Sequence, residues 1–142
     1  MKFKFSLEPV LKVRKHQEKM QKLRLAEEVM KKEEIEQVKQ NVNKKLQDFL
    51  DAGKADQAAD IHNVRLYSTH IQEAHHVMKQ LNEKAGEAEK RVGEEREKLA
   101  EAHKNKHILV KLKEVEERIF KKELNRYEQK TMDEIATQSF GR

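Results

Sequence analysis

Two histidines four residues apart, His103 and His107, come nearest to a chemical site in this 142-residue chain. On a helix that spacing puts both rings on one face, where they could hold a metal ion loosely. A durable zinc site needs further ligands. The chain has no Cys and no zinc-protease pattern around these histidines. His75 and His76 are adjacent, so a helix would point them in different directions. Acids three or four residues from bases are frequent, but Glu87/Arg91, Glu94/Lys98 and Glu117/Lys121 read as ordinary supports of a solvated helix. The four glycines are isolated and form no phosphate-cradling loop. No nucleophile has an evident base and orienting group. The expectation is a protein without catalytic residues, cofactor or metal.

The elements that would carry these residues are long helices. Hydrophobic residues make up 36% of the chain and charged residues 40%, with one Pro and no Trp. That is too little apolar material for a thick core, so the chain is either disordered or built of thinly packed helices. Heptad spacing decides for helices. Val64, Ile71, Met78, Ala85, Val92 and Leu99 are seven apart. Tyr67, Ala74, Leu81, Ala88, Glu95 and Ala102 keep the same spacing three residues later. This is a coiled-coil seam broken only by Glu95, and a stripe so narrow needs a partner helix.

Upstream, Phe3 and Phe5 alternate with Lys2 and Lys4, an extended start. Ser6 is the expected N-cap, with Leu7, Glu8 and Pro9 in the first turn and Phe5 stapled onto Val10. Phe3 either packs near the end of the second helix or anchors a partner. The first helix is expected over about residues 7–50, its seam strongest at Ile35, Val38, Val42, Leu46 and Phe49. Residues 51–63 are the expected turn, with Gly53 stopping the first helix and Asp56 capping the second. Residues 57–63 read as loop or a short separate helix. The second helix is expected over about 64–138, with Gly86 and Gly93 on a loosened outer face. After Ala102 the apolar residues Ile108, Leu112, Val115 and Ile119 imply a slip in the repeat. The last four residues are expected to fray. The whole reads as one all-α domain, an antiparallel two-helix hairpin.

A turn near Gly53 would set Leu7 opposite about Leu99 to Glu101, and a turn near Asp60 opposite about Lys113. Either way, part of the last thirty residues extends past the first helix with an apolar stripe, the mark of an interaction surface.

Net charge is +5 and uneven. Residues 1–24 hold eight Lys/Arg against two Glu, residues 103–126 eight against four, and the last sixteen are slightly acidic. The bases are interleaved with acids, which favours an acidic protein partner over nucleic acid. No apolar run reaches signal-peptide or membrane-span length, and the absence of Cys fits a cytosolic protein. Two other classes remain as alternatives: a basic helical nucleic-acid-binding protein and a structural homodimeric coiled coil.

Three segments resemble one family. These are Phe3-x-Phe5-x-Leu7-Glu8-Pro9-Val10-Leu11-x-x-Arg14, the run from Leu99-x-Glu101-Ala102-x-Lys104 to Leu109-x-x-Leu112-Lys113, and Arg126-Tyr127-Glu128-Gln129-Lys130-Thr131-Met132-Asp133-Glu134. In order and placement they resemble the FliJ family, soluble components of the bacterial flagellar type III export apparatus. The resemblance implies an antiparallel coiled-coil hairpin similar to the central stalk of rotary ATP synthases, with no enzyme activity. It implies a chaperone-like coupling factor at the cytoplasmic face of the cell membrane. The implied partners are the export ATPase hexamer, the cytoplasmic domain of the export gate and export chaperones, with no nucleic acid and no transmembrane segment. For ATPase contact the expected anchors are Leu112, Ile119, Leu124, Tyr127 and Ile135, with Lys113, Arg118 and Arg126 among the facing bases. For gate contact they are Tyr67, Ile71, Ala74 and Met78, although Met78 stands where the family pattern suggests a polar histidine. The same four positions belong to the seam and would also serve as internal packing.

Overall fold

The computed structural model describes residues 1–55 and 61–141. Its fold is all-α: two long helices, α1 (Glu8–Ala55) and α2 (Ile61–Phe140), packed against each other. Both are built from strong helix formers and neither contains an internal proline past its first turn. Helix α1 opens one residue later than expected. Glu8 N–H donates to the Phe5 carbonyl (3.2 Å) in a turn, and Leu11 N–H donates to the Leu7 carbonyl (2.9 Å). Pro9 sits in the first turn, where its missing N–H leaves no bond unmade. Leu11 is buried (1% exposed), whereas Val10, the expected staple partner, is 41% exposed. Phe5 is buried as expected.

Helix α1 runs through Gly53 to Ala55, and α2 begins at Ile61. Gly53 therefore does not end the helix, and no described glycine has a positive φ. Its role is space: a methyl built at Gly53 would overlap the ring of Tyr67. The Asp56 cap and the expected loop at 57–60 lie outside the described residues, as does Arg142. Gly86 and Gly93 are exposed, and a methyl at either would meet nothing, which fits a loosened outer face. At the far end α2 stays helical to Phe140.

The chain divides into two compact units, Met1–Met20 with Leu99–Arg142 and Gln21–Lys98. In the second unit the α2 seam follows the expected heptads from Tyr67 onward, whereas Val64, expected to begin them, is 55% exposed. Ala88 (0% exposed) and Val92 (2%) are its best buried residues, with Ala85 beside them. Ile35, Val42 and Leu46 are half-buried; Val38 is exposed, and Lys39 holds the covered position instead. Glu95, the expected break, is answered from α1: the Gln21 side-chain amide donates to the Glu95 carboxylate and to its backbone carbonyl (3.2 Å).

In the first unit the repeat does not slip. The covered residues of α2 remain seven apart, Leu99, Lys106, Lys113 and Phe120, with Ala102, Leu109 and Glu116 between them. The seam continues with polar residues in it. Glu18, 4% exposed, meets Lys106 Nζ at 2.8 Å, and Glu8 meets Lys113 Nζ at 2.8 Å. The second pairing is the one expected for a turn near Asp60 rather than Gly53. Phe3 packs on Phe120 with ring centroids 5.6 Å apart, so it closes the end of the pair.

Candidate interaction surfaces

The histidines that come nearest to a chemical site lie in the first unit. His103 and His107 have their rings stacked 6.1 Å apart, and His103 Nδ1 lies 3.5 Å from Glu18. No group of three or more His, Asp or Glu among the described residues could hold a metal. The perturbed carboxyls are structural. The Lys113 ammonium bonded to Glu8 holds that carboxyl below the usual carboxylate range, against a smaller opposing effect of desolvation. The hydrogen bond from Gln21 does the same for Glu95, again opposed by desolvation.

What the units do offer is exposed apolar surface. Because the seam of the first unit keeps its register, Ile108, Leu112, Val115 and Ile119 fall beside it instead of in it, and each is 38–56% exposed. Leu124 is half-buried, and residues 125–141 are all exposed, including Tyr127 (66%) and Ile135 (56%). At about 100° per residue, Leu124, Tyr127 and Ile135 form one stripe about 80° wide, and Leu112 and Ile119 lie about 60–80° beyond Tyr127. The five expected ATPase anchors thus spread over a broad arc of α2. Of the expected bases, Lys113 is tied to Glu8, while Arg118 and Arg126 are exposed.

In the second unit Tyr67, Ile71, Ala74 and Met78 are half-buried seam residues. Tyr67 stacks on Phe49 with centroids 5.0 Å apart, and His70 meets the edge of the same Phe49 ring at 5.3 Å. Beside them Val42, Lys45, Leu46, Phe49, His70 and Ala74 line an open, mostly apolar groove of ≈ 250 Å³. The sequence reading did not single out His70. Its one usable signal was its position three residues after Tyr67 on the helix.

The comparison that decides the family covers nearly the whole chain: the model of the flagellar FliJ protein matches residues 3–142. The chain belongs to the FliJ family. It is thus a component of flagellar protein export, and this family's role there is non-catalytic. Comparison with curated proteins and with solved structures gave no match. In this FliJ-family chain no helix among the described residues is long and apolar enough to cross a membrane.

Proposed function

We propose that this chain is a coupling factor of flagellar export that joins the export ATPase ring to the membrane export gate and receives export chaperones. The observation that carries the ATPase part is the end of α2, where residues 125–141 are exposed and extend the Leu124–Tyr127–Ile135 stripe with no cover from this chain among the described residues. Such a single amphipathic helix gains most by inserting its stripe into a partner's interior, with Arg126 meeting carboxylates or carbonyls at the rim. Working there, the protein is cytoplasmic and held at the membrane through its partners.

Gate contact falls to the early part of α2. Tyr67, Ile71, Ala74 and Met78 are covered on one side only, and the groove beside Phe49 and His70 offers an apolar recess for a partner side chain.

The test is stimulation of the purified export ATPase by the full chain and by a Leu124→Ala, Tyr127→Ala, Ile135→Ala variant. All three residues lie on α2 outside its closed seam, so circular dichroism should be unchanged and stimulation should fall at least tenfold. Equal stimulation by both proteins would sink the ATPase reading. The gate contact is tested separately: Tyr67→Ala with Ile71→Ala should lose binding to the gate domain beyond what its lower melting temperature explains.

A further inference from the structure

The first unit carries a second apolar face that its own seam leaves unused. An antiparallel helix pair is related by a two-fold axis normal to the plane of the pair, so residues just before the same seam position on each helix lie on the same side. Val10 precedes the seam residue Leu11, and Leu112 precedes the seam residue Lys113. The Glu8–Lys113 and Glu18–Lys106 pairs set these stretches of α1 and α2 side by side. Val10 and Val13 of α1 therefore share one side of the pair with Ile108, Leu112, Val115 and Ile119 of α2. All six are exposed, by 38–56%. Their steps of three and four residues repeat the spacing of a seam, so the face has the form of a second seam two helices wide. It spans about three helical turns on α2.

A basic row edges this face. Lys104, Lys111 and Arg118 are seven apart on α2, exposed, and next to the stripe on its outer side. Lys111 is held loosely by Glu114 at 3.3 Å, with both side chains largely exposed. Lys104 and Arg118 have no ion pair among the described residues. The unit as a whole has sixteen Lys/Arg against ten Asp/Glu, a net charge of +6.

We propose that this face docks an amphipathic helix of a partner protein, one that adds a third helix to the pair and carries carboxylates seven residues apart along one edge. The seven-residue spacing of the bases fits a helix running alongside α2, with acids at flanking heptad positions answering Lys104, Lys111 and Arg118. The net charge disfavours a second copy, which would bring two like-charged units together. A lipid surface fits less well, because the face has only aliphatic residues and none of the aromatic anchors common on interfacial helices. Nucleic acid would use the basic row and leave six aliphatic side chains in water. This site is separate from the Leu124–Tyr127–Ile135 stripe and does not depend on it.

The experiment uses the full chain and a designed helical peptide of four heptads, with Leu at its seam positions and Glu seven apart along one edge. Binding is followed by fluorescence anisotropy. The acidic peptide should bind the wild-type chain at least tenfold more tightly than the same peptide with Lys for Glu. A Lys104→Glu, Lys111→Glu, Arg118→Glu variant should reverse that order. A Leu112→Ser, Ile119→Ser variant should bind neither peptide, with its circular dichroism unchanged. The Leu124→Ala, Tyr127→Ala, Ile135→Ala variant should bind the acidic peptide as wild type does, which separates this site from the ATPase contact. Equal binding of both peptides, or no reversal in the charge variant, overturns the proposal. So does loss of vesicle binding, of nucleic-acid binding or of self-association in the Leu112→Ser, Ile119→Ser variant while peptide binding stays intact.

Discussion

The two units of this protein differ most in the seam of α2. In Gln21–Lys98 that seam is mostly apolar, with Ala88 and Val92 almost fully buried, although Leu23, Val38, Leu66 and Val77 lie exposed in the same unit, and the unit has fifteen Lys/Arg against sixteen Asp/Glu. In Met1–Met20 with Leu99–Arg142 the α2 seam instead holds Lys106, Lys113 and Glu116, and the displaced aliphatics lie exposed beside it. That unit has the net +6. A shift of one heptad position changes what an isoleucine does. At the seam it stabilises the pair, and next to the seam it is available to another protein. A polar seam also specifies pairing, because each buried charge accepts few registers.

The comparison breaks most visibly at Leu11, at 1% exposed the best buried apolar side chain among the described residues of the first unit. Leu11→Ala should cost about 3 kcal/mol, since it removes an apolar anchor from a seam with few others. Val92→Ala in the second unit should cost less, about 2 kcal/mol, because Ala85 and Ala88 lie on the same seam. Urea denaturation of the two variants measures both. A larger loss at Val92 would mean that the polar seam is the sturdier of the two.

The polar seam can be tested by removing one charge or both. Lys106→Ala leaves Glu18 buried without its closest cation and should cost about 2–3 kcal/mol. That is less than for a fully buried pair because Lys106 is partly exposed. Replacing both residues by Leu should leave stability equal or raise it by about 1–2 kcal/mol, while loosening the choice of register. Disulfide trapping between cysteines introduced at Glu8 and Lys113 would report that loosening. A double Leu variant much less stable than wild type would show that the ion pair itself holds the seam.

These two experiments bear on what could be read from the residues alone. The heptads from Val64 to Leu99 were legible because their seam positions are apolar. The continuation to Phe120 was not, because Lys106, Lys113 and Glu116 are charged residues in covered positions while Ile108, Leu112, Val115 and Ile119 are apolar residues in open ones. A pattern traced through hydrophobic residues follows the second set and infers a slip. Gly53 was misread for another reason: its absent Cβ admits the Tyr67 ring and bends nothing, and close approach leaves no local signature.

Glycines sharpen the contrast at a smaller scale. Gly86→Ala and Gly93→Ala should each raise stability by about 1 kcal/mol, because both sites are helical and open. Gly53→Ala gains the same helix propensity but forces Tyr67 off its position over Phe49, so its net effect should be zero or negative. Thermal melts of the three single variants give the comparison directly. A gain at Gly53 equal to that at Gly86 would mean the Tyr67 ring moves aside without cost.

The smallest effect is the pH dependence of two carboxyls, one in each unit. Glu8 and Glu95 are both held below the usual carboxylate range in the folded chain, Glu8 by Lys113 and Glu95 by Gln21. In the unfolded chain each titrates near the ordinary glutamate value of about 4.3. Below that value the unfolded state binds more protons than the folded one, so each group's contribution is complete above it and is lost as pH falls through the lower folded value. Melting temperature should therefore decline with acid in that window, and Glu8→Gln or Glu95→Gln should each flatten the slope. Salt tells the two apart. Glu8 and Lys113 are charged partners about one-third exposed, so 1 M NaCl should weaken their part of the slope. Gln21 is neutral and 7% exposed, so most of the Glu95 part should survive. If high salt removes both parts equally, Glu95 depends mainly on nearby cations such as Lys98 and Arg24, and the amide of Gln21 is not what holds its proton off.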